Sequence, residues 1–159
     1  MSEPEIFCMS EDKDGVPQWY LIKHERGESN KELLMQWLSL REIECWAPVM
    51  IRKTPRADNI VGFRRRSVPV FPGYIFVYVT MNKDVQKYIM SSSAFHHIIS
   101  AGKALLPVKA DVVERLKRIF PETGIKEDVN KKDKETLVYL NNEKNNVMRE
   151  AWLMKQILS

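Results

Sequence analysis

The spacing of apolar residues changes along the chain, and each change marks an element. Trp19 to His24 (WYLIKH) is a short aromatic and β-branched run bounded by charges, which predicts a strand. A helix is predicted next. Ser29 with Glu32 three residues later forms a capping box, and Leu33, Leu34, Trp37 and Leu38 recur at helical spacing, so one face must be buried. Ile43 to Met50 predicts a second strand, interrupted at Pro48, and Ser67 to Thr80 a third and a fourth. Tyr74 to Val79 (YIFVYV) is too continuously apolar to keep one side in water, so both of its faces are expected to be covered.

Asn82 to Ser92, with Val85 and Ile89 four apart, predicts a short helix, and Phe95 to Ile99 a small strand ended by Ser100 to Gly102. Asp111 is placed to cap a further helix striped by Val112, Val113, Leu116, Ile119 and Phe120 and stopped by Pro121. The order of elements gives an α+β fold, a mainly antiparallel sheet flanked by helices. Residues 1–16 are polar and acidic and are expected to be a disordered leader, residues 17–120 one domain, and residues 121–142 a linker with a short strand at Thr136 to Leu140. Residues 143–159 are expected to be a closing helix, apolar around most of its circumference through Val147, Met148, Ala151, Trp152, Leu153, Met154, Ile157 and Leu158, and therefore needing a surface to bury against.

Composition changes this picture little. At 159 residues, 44% apolar and 29% charged, the chain suits one folded domain with a tail. Neither a membrane-spanning run nor a secretion signal is present, and the two cysteines, Cys8 and Cys45, are far apart, which points to the cytoplasm and away from a disulfide framework. Charge matters more by position than by its net value of +4. Arg52, Lys53, Arg56, Arg64, Arg65 and Arg66 face a single Asp58 in one segment, a candidate phosphate-facing hairpin or an ordinary solvated tip.

Enzymatic chemistry lacks a constellation. His96 and His97 are adjacent in a predicted strand and should point to opposite faces, wrong for two ligands of one metal; His24 stands alone, and Cys45 has no base near it in sequence. No phosphate-binding glycine loop or nucleophile elbow occurs, so no catalytic residue, metal, cofactor or small-molecule substrate is expected.

WYLIKHERG near the start, CWAPVM some twenty residues on, VPVFPGYIFVYV and the later GKALLPVKADVVERLKRI together resemble the N-terminal domain of NusG-type transcription elongation factors, from about Trp19 to Phe120. The Cys45-Trp46-Ala47-Pro48 and Phe71-Pro72-Gly73-Tyr74 runs look closest to the specialised antiterminators of the RfaH type, which act on selected operons. The resemblance implies docking of an apolar sheet surface on the clamp helices of bacterial RNA polymerase. Tyr74 and Phe76, two apart and so on one face of a strand, would be the anchors, with Phe71 and Pro72 as the rim. The residues by themselves favour a core role for both aromatics.

The resemblance also places Lys23, Arg26, Lys87 and Ser91, Ser92 and Ser93 near the non-template DNA of the transcription bubble, with Arg64, Arg65 and Arg66 in the hairpin as further nucleic-acid contacts. Val85, Gln86 and Lys87 stand where the RfaH group carries His-Thr-Thr. The three serines also suit a plain helix C-terminus and its loop. After Gly124, the last glycine, the tail has neither the length nor the turns for the small KOW-type barrel of that family, which implies no coupling to a ribosome or termination factor through such a module. A helical tail could be a removable lid over Tyr74 and Phe76, as in the RfaH group, or an ordinary closing helix or dimer contact, the simpler of the two. The alternative to a polymerase partner is a free-standing nucleic-acid binder using the basic hairpin.

Overall fold

The computed structural model describes residues 15–55, 62–121, 131–142 and 145–158. The expected leader lies almost entirely outside them, as do Arg56, Asp58 and Gly124. The chain forms two compact units, one of residues up to Trp46 with Gly73–Ala110, the other of Ala47–Pro72 with the segment from Asp111 onward. Together they hold an antiparallel sheet and helices, the expected α+β class.

In the first unit, β1 (Gln18–His24) is the central strand. β5 (Tyr74–Val79) pairs antiparallel along it from Gln18↔Val79 to Lys23↔Tyr74. The other edge of β1 is shared, with β9 (Pro107–Val108) on Trp19 and Tyr20 and β6 (Phe95–Ile98) on Ile22 to His24. β2 (Glu44–Trp46) closes the far side of β5. β5 is therefore internal, and Ile75, Phe76 and Val77 have no exposed surface, which is what its unbroken apolar run requires. Gly73, at φ 95°, turns the chain into β5, a conformation L side chains rarely adopt, and its carbonyl accepts from the His24 amide at 2.9 Å.

α1 (Glu28–Ser39) starts one residue before the expected capping box: Gly27 is its N-cap at φ 107° and no side chain caps it, so Ser29 and Glu32 lie inside the helix. Leu34 and Leu38 are sealed as expected, while Leu33 is 53% exposed and Lys31 shares the buried face, its ammonium 3.8 Å from Glu28. α2 (Lys83–Met90) is capped by the Asn82 side chain, which accepts from the Val85 amide. Trp37 and Tyr88 join α1 to α2 reciprocally: the indole donates to the Tyr88 carbonyl at 2.8 Å, the phenol donates to the Trp37 carbonyl at 2.6 Å, and the rings stack at 4.7 Å. That double bond fixes the axial position of α2 and so of the loop after it. β7 (Ser100–Ala101) and β8 (Ala104–Leu105) make a small hairpin.

The second unit holds the basic hairpin, β3 (Val49–Pro55) paired with β4 (Phe63–Pro69), and three helices: α3 (Ala110–Ile119), α4 (Lys131–Asn142) and α5 (Asn146–Leu158). Thr136 to Leu140, expected as a strand, lies within α4. The charge pattern explains the difference. Asp133, 1% exposed, accepts from Arg118 Nε at 2.9 Å and sits 3.6 Å from Arg115 Nε, both on α3, which fixes the first turn of α4. Leu140, two helical turns on and fully buried, lies on the same face. The hydrogen bond to Asp133 is also the main cause that pushes the Arg118 guanidinium above its ordinary range. Asp133→Ala, which strips a buried acceptor from two arginines, is expected to lower unfolding free energy by about 2 kcal/mol, measured as a shift of the urea midpoint at constant slope.

Candidate functional site

Tyr74 and Phe76 lie two apart on β5, opposite Lys23 and Leu21 of β1. Tyr74 is 6% exposed and Phe76 has no exposed surface; the Phe76 ring sits 5.5 Å from that of Trp46, its partner on β2. Phe71 and Pro72, in the second unit, end the run before β5. Phe71 is 2% exposed and stacks on Trp152 of α5 with planes 4° apart and centroids at 6.1 Å. Arg149, one turn before Trp152 on the same helix, is buried and donates from Nε to the Val70 carbonyl at 2.7 Å and from its other end to Asn146. The closing helix thus covers Phe71, one of the two expected rim residues, and Val70 before it, through two side chains three apart.

The cationic and hydroxyl residues are more open. Lys23 is half-buried, with its Nζ 5.6 Å over the Tyr74 ring, and Arg26 is exposed in the turn before α1, where its carbonyl accepts from Asn30. Lys87 is exposed on the last turn of α2. Ser91 is the C-cap of that helix and its hydroxyl donates to the Tyr88 carbonyl at 2.7 Å; Ser92 accepts from the Ala94 amide at 3.1 Å; Ser93 is exposed. Two of the three hydroxyls therefore serve the helix end, although each oxygen keeps accepting or donating capacity. Lys23, Arg26, Lys87 and the serine loop all belong to the first unit.

Arg64, Arg65 and Arg66 fall in β4, opposite Thr54, Lys53 and Arg52. Two successive rungs of the hairpin thus pair cationic positions. Arg66 is exposed. The side chains of Arg64 and Arg65 lie outside the described residues.

The family pattern described as "Transcription termination factor nusG" matches residues 17–117. The chain belongs to the NusG family. That stretch takes in every strand among the described residues, the basic hairpin included, and most of α3. No curated protein matches the chain. Among solved structures, one titled "Domain interaction in Thermotoga maritima NusG" is similar to it at 22% identity and a TM-score of 0.46, over 66% of this chain and 58% of that one. The chain thus spans little more than half the length of that NusG. Beyond the family pattern, the described tail residues of this NusG-family chain fold as α4 and α5, with no strand among them.

Two residues near the cationic group escaped sequence reasoning. His96 and His97 were expected on opposite faces of their strand, yet their Nδ1 atoms are 2.6 Å apart and their rings meet edge to face at 4.8 Å. The cause is a bulge in β6, a feature set by strand register that a single strand's sequence does not reveal. Cys45 is half-buried, and burial, then Glu44, push its thiol above the ordinary range, the reverse of an activated nucleophile. Among the described residues no group of three or more His, Cys, Asp and Glu side chains gathers to hold a metal ion, and no helix is long and apolar enough to cross a membrane.

Proposed function

We propose that this NusG-family chain regulates transcript elongation as an antitermination factor, binding the clamp of bacterial RNA polymerase through Tyr74, Phe71 and Pro72, with the enclosed Phe76 backing Tyr74 from the core and not itself touching the partner, and holding non-template DNA with Lys23, Arg26, Lys87 and Ser91 to Ser93. The family match over residues 17–117 carries the reading. The exposed Arg26, Lys87, Ser91 and Ser93 and the half-buried Lys23 and Ser92 of the first unit support the DNA contact, and the register that sets cationic positions opposite each other at Arg52↔Arg66 and Lys53↔Arg65 supports a second phosphate contact at the hairpin with Arg64, Arg65 and Arg66. The Cys45 to Pro48 and Phe71 to Tyr74 runs support a specialised role on selected operons, as in the RfaH group.

Co-purification with core RNA polymerase tests it. An apolar anchor should hold at moderate salt, where a pure phosphate contact weakens steeply. Wild type is expected to be retained and a folded Tyr74→Ala variant to lose at least about tenfold in affinity, as central aromatic anchors do. If wild type binds single-stranded DNA but not polymerase, even with α5 loosened, the protein is a free-standing nucleic-acid binder built on its hairpin.

A further inference from the structure

The ladder between β1 and β6 runs Ile22↔Ile98, Lys23↔His97 and then His24↔Phe95, so His96 is the extra residue. In a regular strand neighbouring side chains point to opposite faces; an inserted residue sets two consecutive side chains against one on the partner strand. Here the two are histidines and the one is a lysine. With Nδ1 atoms 2.6 Å apart, one imidazole must donate a proton and the other accept it, so the pair as it stands holds a shared hydrogen bond and both rings remain exposed. Lys23, directly opposite His97, shares its face of the sheet.

The surroundings add more positive charge than negative. On β1 the neighbours are Lys23 and His24, the latter buried with Nδ1 donating to the Glu25 carbonyl at 2.6 Å; beyond the strand lie Glu25 and Arg26. α2, packed on β6, carries Lys83, Asp84 and Lys87, and its Tyr88 hydroxyl is engaged with the Trp37 carbonyl. β5 contributes Tyr74, beneath the Lys23 ammonium.

We propose that His96, His97 and Lys23 form a backbone-phosphate contact for single-stranded nucleic acid, and that the contact tightens when His97 takes up its second proton. The proposal rests on the non-template-strand reading above and adds to it two residues and a proton. A bulge that turns both rings to one side lets one phosphate reach two imidazoles and an ammonium, which alternation would forbid. In the free protein the second proton is opposed: burial, the neighbouring His96 and then Lys23 all hold His97 below the ordinary imidazole range. A phosphate offsets the charge repulsion from Lys23, so His97 titrates higher when bound than when free. Binding therefore takes up a proton. Affinity is greatest below the free titration point of His97 and falls as pH rises through the bound one.

The test is a fluorescence-anisotropy titration of the full chain with labelled oligo-dT, at fixed ionic strength, from about pH 8 to about pH 5.5, a range in which imidazoles titrate and thymine does not. Wild-type affinity is expected to rise roughly tenfold on acidification, and a folded His96→Gln/His97→Gln variant to bind within about twofold of wild type at the alkaline end and to lack the rise. Lys23→Gln should bind more weakly throughout and shift the midpoint upward, because the charge that opposes protonation of His97 is gone. As a second readout, the His97 imidazole proton followed by NMR should titrate higher with oligo-dT present, and much less so with inorganic phosphate at equal ionic strength. Oligo-dT binding that is flat with pH, or a double variant that keeps the full rise, overturns the proposal and leaves the DNA reading standing; an equal effect of inorganic phosphate overturns the claim for a strand. Absence of binding at every pH overturns the DNA reading and the proposal with it.

Discussion

Phe76→Ala is expected to lower unfolding free energy by about 3–5 kcal/mol, the cost of emptying a fully enclosed phenylalanine site. The residue has no exposed surface, lies in the internal strand β5 between β1 and β2, and packs its ring 5.5 Å from that of Trp46. Neighbours on both flanking strands are held by ladder hydrogen bonds and cannot collapse into the gap, which puts the loss at the high end for a core truncation. Urea unfolding followed by far-ultraviolet circular dichroism measures it; a loss under about 1 kcal/mol would mean that the ring is not part of the core. The result bears directly on function. Loss of polymerase binding by a Phe76→Ala variant would report unfolding as readily as docking, so the anchor is better tested at Tyr74, or by Phe76→Leu, which keeps most of the buried volume and should cost about 1 kcal/mol.

Phe76 also shows what the sequence could and could not convey. The unbroken run Tyr74 to Val79 announced a strand covered on both faces, and the residues alone favoured a core role for Tyr74 and Phe76; the structure buries Tyr74 to Val77 but leaves Tyr78 exposed at the far end. β1, α1, α2 and α3 were legible because each is decided by local periodicity. Elements decided by distant partners were not. Thr136 to Leu140 has the composition of a strand, but Asp133 is held by two arginines of α3, and a helix is what keeps Leu140 on the same buried side. Gly27 begins α1 in place of the Ser29 box because a φ of 107° at the turn after β1 suits glycine and not serine. The candidate site divides in the same way. Lys23, Arg26, Lys87 and the serine loop were named because the resemblance to NusG-type domains puts those segments beside nucleic acid, and their charges and hydroxyls suit that task. The convergence of His96 and His97 depends on one unpaired residue in a two-strand ladder, and no pattern within either strand encodes it.

Trp152→Ala is expected to destabilise the second unit by about 2 kcal/mol, less than a fully buried tryptophan because the ring is half-exposed, but including the stacking term with Phe71. Hydrogen exchange should show α5 amides losing protection first, while amides of β1 and β5 keep theirs. Arg149 then matters: with Trp152 gone, its Nε bond to the Val70 carbonyl still ties the helix to that run. If Phe71 belongs to the polymerase-docking rim, α5 competes for it, and a helix weakened by about 1.4 kcal/mol or more should raise affinity for core polymerase at least about tenfold. Removing everything after Phe120 should raise it further. An affinity that stays level while α5 loses protection would take Phe71 out of the docking surface and leave α5 a closing helix, since a cover that can be removed without effect on binding was not covering the site.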